Sequence, residues 1–452
     1  MGENKESQVL KVAFYPWFAL GHLTSFLRLA NKLAERGHQV SYFLPKKTQL
    51  KLASQNHFPD HLTFIPITVP SVDGLPPGAE TTNDVSLSGA HLIMAAMDMT
   101  RDTIDAHLAL LKPDFVFYDF AYWMPQLARK HGIKSVHYIT GLIARYTLAF
   151  SGITGAYPPD LSSPIFQMRA HEMKVMEHIS DKPFATGGVT LPEMFRISFE
   201  ECDAIGVKTC KEMEGIYCEF AEKTLDKPVL LAGPVVPKLP SSKLDDYFDA
   251  WLSTFGSGTV IFCALGSECI LEQNQFQDIL LGLELTGKPF LAALKPPKNC
   301  KSLESGLPEG FNERVRGRGM IHGGWVQQQL ILQHPSVGCF ITHCGVGSLS
   351  EAMVSQCQVV LMPQAVDQFM NARQMSLELK IGVEVESTET DGFFTREAVC
   401  KAVSLVMDEQ SEVAREVKAN HARWRDFILT EGLEDSYISS FIQNLQHLLQ
   451  MN

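Results

Sequence analysis

Short apolar runs rich in β-branched residues alternate along the chain with stretches whose apolar residues recur at helical spacing. Strands that alternate with helices are typical of parallel sheets built from βαβ units, so the pattern predicts an α/β fold. The predicted strands of the first half are Leu10–Tyr15, Gln39–Leu44, Leu62–Ile67, Phe115–Tyr118, Ser135–Ile139, Ala204–Val207 and Val229–Leu231. Those of the second half are Thr259–Ala264, Pro289–Leu294, Val337–Thr342 and Val359–Met362.

A segment between the halves interrupts both periodicities. It runs from Gly233 to Lys243 and combines three prolines with small polar residues, so no regular element is expected there. Because the strand and helix rhythm resumes afterwards, we predict two Rossmann-like, doubly wound domains that face a central cleft. The predicted domains are residues 1–237 and 238–430, and a final helix within 431–452 is expected to pack back on the first domain.

The bulk properties narrow the class of protein. The chain has 452 residues, more than the roughly 250–300 that a single core supports, and its net charge is -12. This negative balance argues against nucleic acid and anionic lipid as partners, and no apolar run has the length of a membrane span. The start of the chain is polar, and the ten cysteines form no C-x-x-C pair. These features predict a cytoplasmic protein, and we expect a monomer.

A glycine-rich turn between a predicted strand and a predicted helix indicates an anion site. The turn His343–Ser348 follows the strand Val337–Thr342 and precedes a helix expected from about Leu349. The first backbone N–H groups of a helix have no partner within it, and the helix dipole is positive at that end. A diphosphate can therefore be held there without arginines or a metal ion.

The block from Trp325 to Gln368, which contains this turn, closely resembles the secondary-product signature box of the plant UDP-dependent glycosyltransferases. That family is an inverting, family-1 group with the GT-B fold. The resemblance extends to the loop before His22 and to the stretch Ala264–Ser267, so it spans most of the chain. It implies a GT-B fold and a UDP-sugar as co-substrate. The chain has no D-x-D motif of the kind that holds a metal ion on nucleotide-sugars in other transferases, so we expect no metal ion or other cofactor.

The resemblance also assigns residues to the UDP-sugar. It implies that Trp325 stacks on the uracil, that Glu351 bonds the ribose, and that Asp367 and Gln368 bond the transferred sugar. The glycine turn would hold the diphosphate. The full donor set that it implies is Gly21, Thr140, Ser267, Trp325, Val326, Gln328, His343, Gly345, Gly347, Ser348, Glu351, Asp367 and Gln368.

One departure from the family pattern bears on the acceptor. Most members have Trp-Asn where this chain has Val346-Gly347, and such small residues are similar to those of the subgroup that forms sugar-sugar bonds. The stretch that follows His22 and the stretch from Leu75 also resemble that subgroup. The resemblance implies a small-molecule acceptor that is itself a glycoside. Glucose is favoured as the donor sugar, with xylose and rhamnose as alternatives, and an aglycone acceptor is the second hypothesis.

A histidine and an aspartate form the predicted catalytic pair. His22 follows the first strand in the first turn of a predicted helix, where the dipole disfavours a cation and keeps a neutral imidazole available as a base. Asp119 ends the strand Phe115–Tyr118 at the same sheet edge and would orient the imidazole. As alternatives, His22 only ends a loop, and Asp119 is the N-cap of a helix over Ala121–Lys130, a role that is compatible with orienting the imidazole.

Several of these residues also have an interpretation that requires no ligand. Ser348 and Glu351 fit a capping box that exists without any ligand, Trp325 alone fits a core position, and His343 fits a satisfied histidine at a strand end. One proline and four aromatic residues near the catalytic pair predict a surface for a flat apolar acceptor, such as a flavonoid or phenolic glycoside, and fit a core equally well. These residues are Pro16, Trp17, Phe18, Phe120 and Trp123.

Three other functions compete with sugar transfer. A Rossmann oxidoreductase requires G-x-G-x-x-G after the first strand, and Tyr15–Gly21 lacks that pattern. A non-catalytic nucleotide-sugar-binding protein would need neither His22 nor Asp119. A phosphosugar-polymer enzyme would be expected to carry more basic residues toward its acceptor.

Overall fold

The structure, a computed structural model, describes residues 8–156, 163–180, 182–234, 236–237, 240, 242–266, 269–365 and 367–451. The chain divides into two compact units. The first unit comprises Met1–Leu161, His178–Val235 and Gly432–Asn452, and the second comprises Ser162–Glu177 and Val236–Glu431. The sequence-based division placed all of residues 1–237 in the first domain and did not anticipate that Ser162–Glu177 belongs to the second unit.

The described part of the first unit contains a sheet of seven parallel strands in the order β3-β2-β1-β4-β5-β6-β7. The order reverses between β1 and β4, so the loops after these two strands leave the sheet side by side. This is the point at which such sheets place their functional residues. The strands are β1 (Lys11–Tyr15), β2 (Gln39–Pro45), β3 (Leu62–Ile67), β4 (Phe115–Tyr118), β5 (Lys134–Ile139), β6 (Ala204–Val207) and β7 (Val229–Leu231).

The described part of the second unit contains a sheet of six parallel strands in the order β10-β9-β8-β11-β12-β13. The strands are β8 (Val260–Ala264), β9 (Phe290–Ala293), β10 (Gly319–His322), β11 (Val337–Thr342), β12 (Gln358–Leu361) and β13 (Gly382–Glu384). Every predicted strand is present, with ends that differ by one residue at most. The two edge strands, β10 and β13, were not predicted, because each is short, begins with glycine and is only partly buried.

Helices follow the strands in both units. In chain order, the helices of the described residues are α1 (Leu20–Glu35), α2 (Lys46–Leu52), α3 (Ala90–Asp98), α4 (Arg101–Leu111), α5 (Met124–Lys130), α6 (Thr147–Thr154), α7 (Ala170–Ser180), α8 (Leu191–Glu201), α9 (Lys211–Leu225), α10 (Asp246–Leu252), α11 (Gln273–Leu285), α12 (Phe311–Arg314), α13 (Gln328–Gln333), α14 (Val346–Met353), α15 (Asp367–Arg373), α16 (Arg396–Met407), α17 (Glu412–Ile428) and α18 (Leu433–Gln450). Within the described ranges, no helix combines the length and apolar content that a bilayer crossing requires.

The core of the first unit forms where α1 and the last helix, α18, cover one face of the sheet. Phe14 on β1 stacks on Phe117 on β4, with ring centroids 4.9 Å apart. Phe441 on α18 packs against Phe117 at 6.0 Å. Glu434 and Asp435, in the first turn of α18, form ion pairs with Lys32 on α1 and with Arg36, which directly follows α1. The final helix is therefore part of the first unit, to which buried apolar side chains and surface charges attach it.

Buried charges attach the segment Ser162–Glu177 to the second unit. The Glu172 carboxylate, which is fully buried, forms an ion pair with Arg373 at the end of α15. Arg169 pairs with Glu384 on β13, with Nη1 2.7 Å from Oε1. These partners lie far away in the sequence, which explains why no local pattern predicted this grouping.

We expect Glu172→Ala to destabilise the second unit, because removing one partner leaves the Arg373 guanidinium buried and unpaired. The expected loss of unfolding free energy is about 3 kcal/mol. Urea denaturation followed by tryptophan fluorescence measures it. Glu177→Ala is the control, since Glu177 lies on the same helix and is exposed. Equal urea midpoints for the two variants would contradict the prediction.

Candidate active site

His22 and Asp119 come together at the point where the strand order reverses. α1 begins at Leu20, which places His22 in its first turn, and Asp119 directly follows β4. The His22 Nδ1 atom lies 2.6 Å from Asp119 Oδ2. The other carboxylate oxygen accepts the backbone N–H groups of Trp17 at 2.7 Å and Phe120 at 2.8 Å. The carboxylate is thus fixed by two amides while it faces the imidazole.

This geometry determines which nitrogen of the imidazole can act as a base. Because the carboxylate accepts the proton on Nδ1, the lone pair of the neutral ring lies on Nε2. The His22 side chain is 29% exposed and that of Asp119 only 5%, so the base can reach a ligand and its partner cannot. The same division of roles occurs in His-Asp pairs of hydrolases.

The alternative role of Asp119 as a helix N-cap is wrong. α5 begins at Met124, three residues later than the predicted Ala121, and its N-cap, Trp123, makes no capping side-chain bond. Thr140, predicted to contact the donor, lies beside the base, with Oγ1 3.3 Å from His22 Nδ1. Gly21 precedes His22 on α1, and a Cβ added there would meet no atom within 4 Å. Their roles in donor binding stay predictions.

Most of the residues predicted to line the acceptor surface are buried. Pro16, Phe18 and Trp123 are all buried, Phe18 with 0% exposure, so their side chains belong to the core of the first unit. For these three residues, the alternative interpretation as core residues is therefore correct. Trp17 is also buried at 4% exposure, but its ring stacks on Phe120 at 4.9 Å. Phe120 is partly exposed and meets the His22 imidazole edge to face at 5.5 Å.

Phe184 is an aromatic neighbour of this pair that the sequence analysis missed. It is partly exposed, and its ring centroid lies 6.0 Å from that of Trp17 and 6.2 Å from that of Phe120. It lies on a short turn closed by a bridge between Pro183 and Thr190. No periodic pattern marks this turn, and only the folded chain brings it near His22.

Asp98 holds the Phe184 turn in place. Its Oδ2 atom accepts both the backbone N–H and the hydroxyl of Thr186, at 2.9 and 2.7 Å. Its Oδ1 atom accepts the indole N–H of Trp123 at 2.9 Å. The buried Trp123 thus supports the aromatic surface indirectly, because it orients the carboxylate that fixes the turn.

The glycine turn of the second unit ends in a helix that begins earlier than predicted. α14 begins at Val346 rather than near Leu349, and its N-cap is Gly345. The N-cap makes no side-chain bond, so Ser348 and Glu351 do not form a capping box, and that alternative is wrong. Gly347 is exposed, with no atom within 4 Å of an added Cβ. The start of α14 is therefore open to solvent at Gly347, and the first N–H groups of a helix are the ones that can bind an anion.

His343 lies against two glycines. A Cβ added at Gly266 would lie 2.7 Å from the imidazole, and one added at Gly345 would lie 2.6 Å from it, so neither position accepts a larger residue. The Nδ1 atom of His343 is buried without a hydrogen-bond partner. The alternative, a strand-end histidine with all its hydrogen bonds satisfied, is therefore wrong. Burial lowers the pKa of His343 to about 4, so the ring is neutral near pH 7. Ser267, predicted to contact phosphate, lies outside the described residues.

Glu351 is held by two glutamine side chains of α13. Its Oε2 atom accepts Gln328 Nε2 at 2.6 Å, and its Oε1 atom accepts Gln329 Nε2 at 3.0 Å. Gln328 also donates to Ser348 Oγ at 3.1 Å. Three residues of the predicted donor set, Gln328, Ser348 and Glu351, are thus joined by hydrogen bonds. Gln329 is a further member of this group that the sequence analysis did not identify.

The remaining predicted donor residues lie at the ends of the signature block. The Trp325 side chain is 83% exposed, so the reading as a core residue is wrong, and Val326 beside it is partly buried. Asp367 begins α15. The Oε1 atom of Gln368 accepts the backbone N–H groups of Gln364 at 2.9 Å and Ala365 at 3.1 Å. These bonds fix the amide so that its NH₂ group is left to donate to a ligand.

No group of three or more histidine, cysteine, aspartate or glutamate side chains in the described ranges is arranged to hold a metal ion. The expectation that no metal takes part stays a prediction. All ten cysteines are free thiols.

Comparisons with known proteins give a consistent result. Residues 243–417 match a family model described as UDP-glucoronosyl and UDP-glucosyl transferase. A relative from Actinidia chinensis var. chinensis, Cyanidin 3-O-galactoside 2''-O-xylosyltransferase FGGT1, is 53% identical over 97% of this chain and 98% of its own length. The Anthocyanidin 3-O-glucoside 2''-O-glucosyltransferase of Ipomoea nil is 50% identical over 99% of this chain and 100% of its own.

Solved structures share the fold. UGT73P12 of Glycyrrhiza uralensis, complexed with glycyrrhetinic acid 3-O-monoglucuronide, matches with a TM-score of 0.77 and 21% identity over 98% of this chain and 96% of its own. UGT89C1 of Arabidopsis thaliana, complexed with UDP-L-rhamnose, also gives a TM-score of 0.77, with 18% identity over 97% of this chain and 100% of its own.

Proposed function

The chain belongs to the plant family-1 UDP-dependent glycosyltransferases, and we propose that it transfers a sugar to the 2''-hydroxyl of a flavonoid 3-O-glycoside. The resemblance inferred from the signature block is confirmed by the close relatives, and the GT-B fold by the solved structures. A UDP-sugar is the co-substrate of this family. The oxidoreductase and phosphosugar-polymer readings are therefore excluded.

The relatives support the proposed acceptor. Two of them are named as enzymes that act on the 2''-position of an anthocyanidin or cyanidin 3-O-glycoside. One of these is named a xylosyltransferase and the other a glucosyltransferase, so both sugars are candidates. We favour glucose, with xylose and rhamnose as alternatives. The small pair Val346-Gly347 at the start of α14 fits this acceptor, because it leaves room for a substrate that already carries a sugar.

The observation that carries the proposed mechanism is the bond between His22 Nδ1 and Asp119 Oδ2. The His22 Nε2 atom takes the proton of the acceptor hydroxyl, and Asp119 stabilises the imidazolium that forms. The hydroxyl oxygen then attacks the anomeric carbon of the UDP-sugar from the face opposite UDP. One bond forms as the bond to UDP breaks, so the configuration inverts.

The second unit binds the leaving group in this proposal. Negative charge develops on the β-phosphate of UDP as the glycosidic bond breaks. In this proposal the N–H groups in the first turn of α14 stabilise that charge. Because His343 is neutral near pH 7, it would contribute a hydrogen bond rather than a positive charge. Trp325, which is exposed, is free to stack on the uracil.

A panel of substrates tests the proposed function. The protein is incubated with UDP-glucose, UDP-xylose and UDP-rhamnose, each against flavonoid aglycones and their 3-O-monoglycosides, and the products are identified by mass and by linkage. We expect a second sugar on the monoglycoside and no product with aglycones. Conversion of aglycones alone would support the aglycone transferase instead. Binding of UDP-sugars without any transfer would support the non-catalytic binding protein.

We propose that Phe184 and Phe120 contact the flat ring system of the acceptor, because both rings are partly exposed near His22. Phe184→Ala is expected to raise the KM for the acceptor between about three- and tenfold, since the stacking contact is lost. The KM for the UDP-sugar should not change. Tyr247→Ala, which removes another exposed aromatic ring on α10, is the control. An unchanged acceptor KM in Phe184→Ala would count against this surface.

We further propose that the enzyme works as a monomer in the cytoplasm. Ten free thiols suit a reducing compartment. Sedimentation of the purified protein checks the oligomeric state, and a fluorescent fusion checks the compartment.

A further inference from the structure

The turn between β11 and α14 contains a residue in an unfavourable backbone conformation. Cys344 has a φ of 66°, in the left-handed region, and it is not a glycine. This conformation costs a residue with a Cβ roughly 1 kcal/mol of free energy, so the surrounding structure must hold Cys344 there. The turn ends at Gly345, the N-cap of α14. The conformation of Cys344 therefore sets the direction in which the first N–H groups of α14 point.

Two side chains hold Cys344 in this conformation. Thr342 Oγ1 accepts the Cys344 backbone N–H at 3.3 Å. Asn371 Nδ2 donates to the Cys344 carbonyl at 2.9 Å. Cys344 is fully buried and Asn371 is only 3% exposed, so water cannot replace this bond. Thr342 is the last residue of β11, which leads directly into the turn. Asn371 is therefore the one of these two partners of Cys344 that comes from a distant part of the chain.

Asn371 lies on the helix that begins with the predicted sugar contacts. α15 starts at Asp367, and Asn371 follows four residues later, on the same face of the helix. The Asp367 carboxylate is close enough to His343 to offset in part the burial that lowers the pKa of that imidazole. α15 therefore approaches the turn at two positions, with the Asp367 carboxylate near His343 and the Asn371 amide on the Cys344 carbonyl.

We propose that Asn371 is a positioning residue of the donor site. Its amide connects the turn that precedes α14 to α15, the helix that begins with Asp367 and Gln368. This inference rests on the proposed function, in which the first turn of α14 holds the diphosphate and α15 holds the sugar. Asn371 touches neither group of the donor in this proposal. It keeps their two binding elements in register through the Cys344 carbonyl.

Loss of the Asn371 amide has a specific consequence for ligand binding. The Cys344 carbonyl stays buried without its donor, and the turn relaxes from the left-handed conformation. The N–H groups of Val346, Gly347 and Ser348 then no longer point to one position. We expect UDP and the UDP-sugar to bind more weakly to a similar degree, and the KM for the acceptor to stay as it is.

The first measurement is the Kd of UDP for the full-length protein by calorimetry. Asn371→Ala is expected to raise it about tenfold, which corresponds to one buried hydrogen bond. Asn371→Leu, which keeps the volume and loses the donor without burying a charge, should raise it about as much. Unfolding temperatures show whether each variant is folded, and Asn371→Leu replaces the alanine variant if that variant does not fold. A folded variant that binds UDP as tightly as the parent would overturn the proposal.

A second-site rescue separates positioning from a general structural role. Glycine adopts a positive φ without the cost that other residues pay. In the Asn371→Ala background, Cys344→Gly is therefore expected to recover much of the lost UDP affinity. Cys344→Ala removes the sulfur atom but keeps the Cβ, so it should recover none. Equal recovery by glycine and alanine would contradict the role of the turn conformation.

Gly345→Ala, measured in parallel, distinguishes this inference from the proposed donor site. Weaker UDP binding in Gly345→Ala with unchanged binding in Asn371→Ala would overturn the positioning role alone. Unchanged binding in both variants would overturn the donor site itself and this inference with it.

Discussion

Replacing His22 with alanine is expected to lower kcat about a thousandfold while the Kd of UDP stays unchanged. The proposed acceptor hydroxyl is a weak nucleophile until a base removes its proton, and a well-placed general base contributes about 10²–10⁴ in rate. The base and its Asp119 partner belong to the first unit, whereas the residues proposed to bind the uracil and the diphosphate belong to the second. Single-turnover kinetics with saturating UDP-sugar and calorimetry with UDP measure the two quantities separately.

Asp119→Asn tests why the aspartate is needed. The asparagine oxygen can still accept the backbone N–H groups of Trp17 and Phe120, so the loop should keep its shape. Its NH₂ group would then face His22 Nδ1 and favour the tautomer with the proton on Nε2, which cannot act as a base. We expect a loss of kcat close to that of His22→Ala and an unchanged unfolding temperature. Full activity in either variant would disprove the proposed mechanism.

Gly345→Ala is expected to raise the Kd of UDP about a hundredfold. The added Cβ would lie 2.6 Å from the His343 imidazole, which is closer than a side-chain carbon can approach. Because this imidazole is buried and already lies against Gly266, we expect the turn to shift, so that the first N–H groups of α14 no longer point toward the diphosphate. Loss of two charge-assisted hydrogen bonds to a diphosphate amounts to about 2.7 kcal/mol, which is a hundredfold in Kd.

Gly152→Ala is the matched control for this experiment. Gly152 lies within α6 of the first unit, and no atom lies within 4 Å of a Cβ added there. Alanine is favoured over glycine inside a helix, so this variant should be slightly more stable and should bind UDP normally. Normal UDP binding by a folded Gly345→Ala would show that the diphosphate is held elsewhere.

The signature block shows which structural features a local sequence pattern predicts correctly and which it does not. The order of strand, glycine turn and helix was read from spacing alone, and the strand is present as predicted. The start of α14 was predicted about three residues too late, because Ser348 and Glu351 imitate a capping box. Glu351 is instead bonded by Gln328 and Gln329, residues of another helix. A capping box and a network of this kind have the same local sequence, so only the packing of α13 against α14 tells them apart.

The sequence by itself determined the α/β class, most strands, the family and the positions of His22 and Asp119, because these depend on short periodic patterns and on the spacing of a signature. Only the tertiary structure decided which aromatic residues near His22 are buried, that Phe184 joins them, that Ser162–Glu177 belongs to the second unit, and that Asn371 supports Cys344. Each of these results depends on contacts between residues far apart in the chain. Such contacts arise when the elements pack, and no local pattern of hydrophobic and polar residues specifies them.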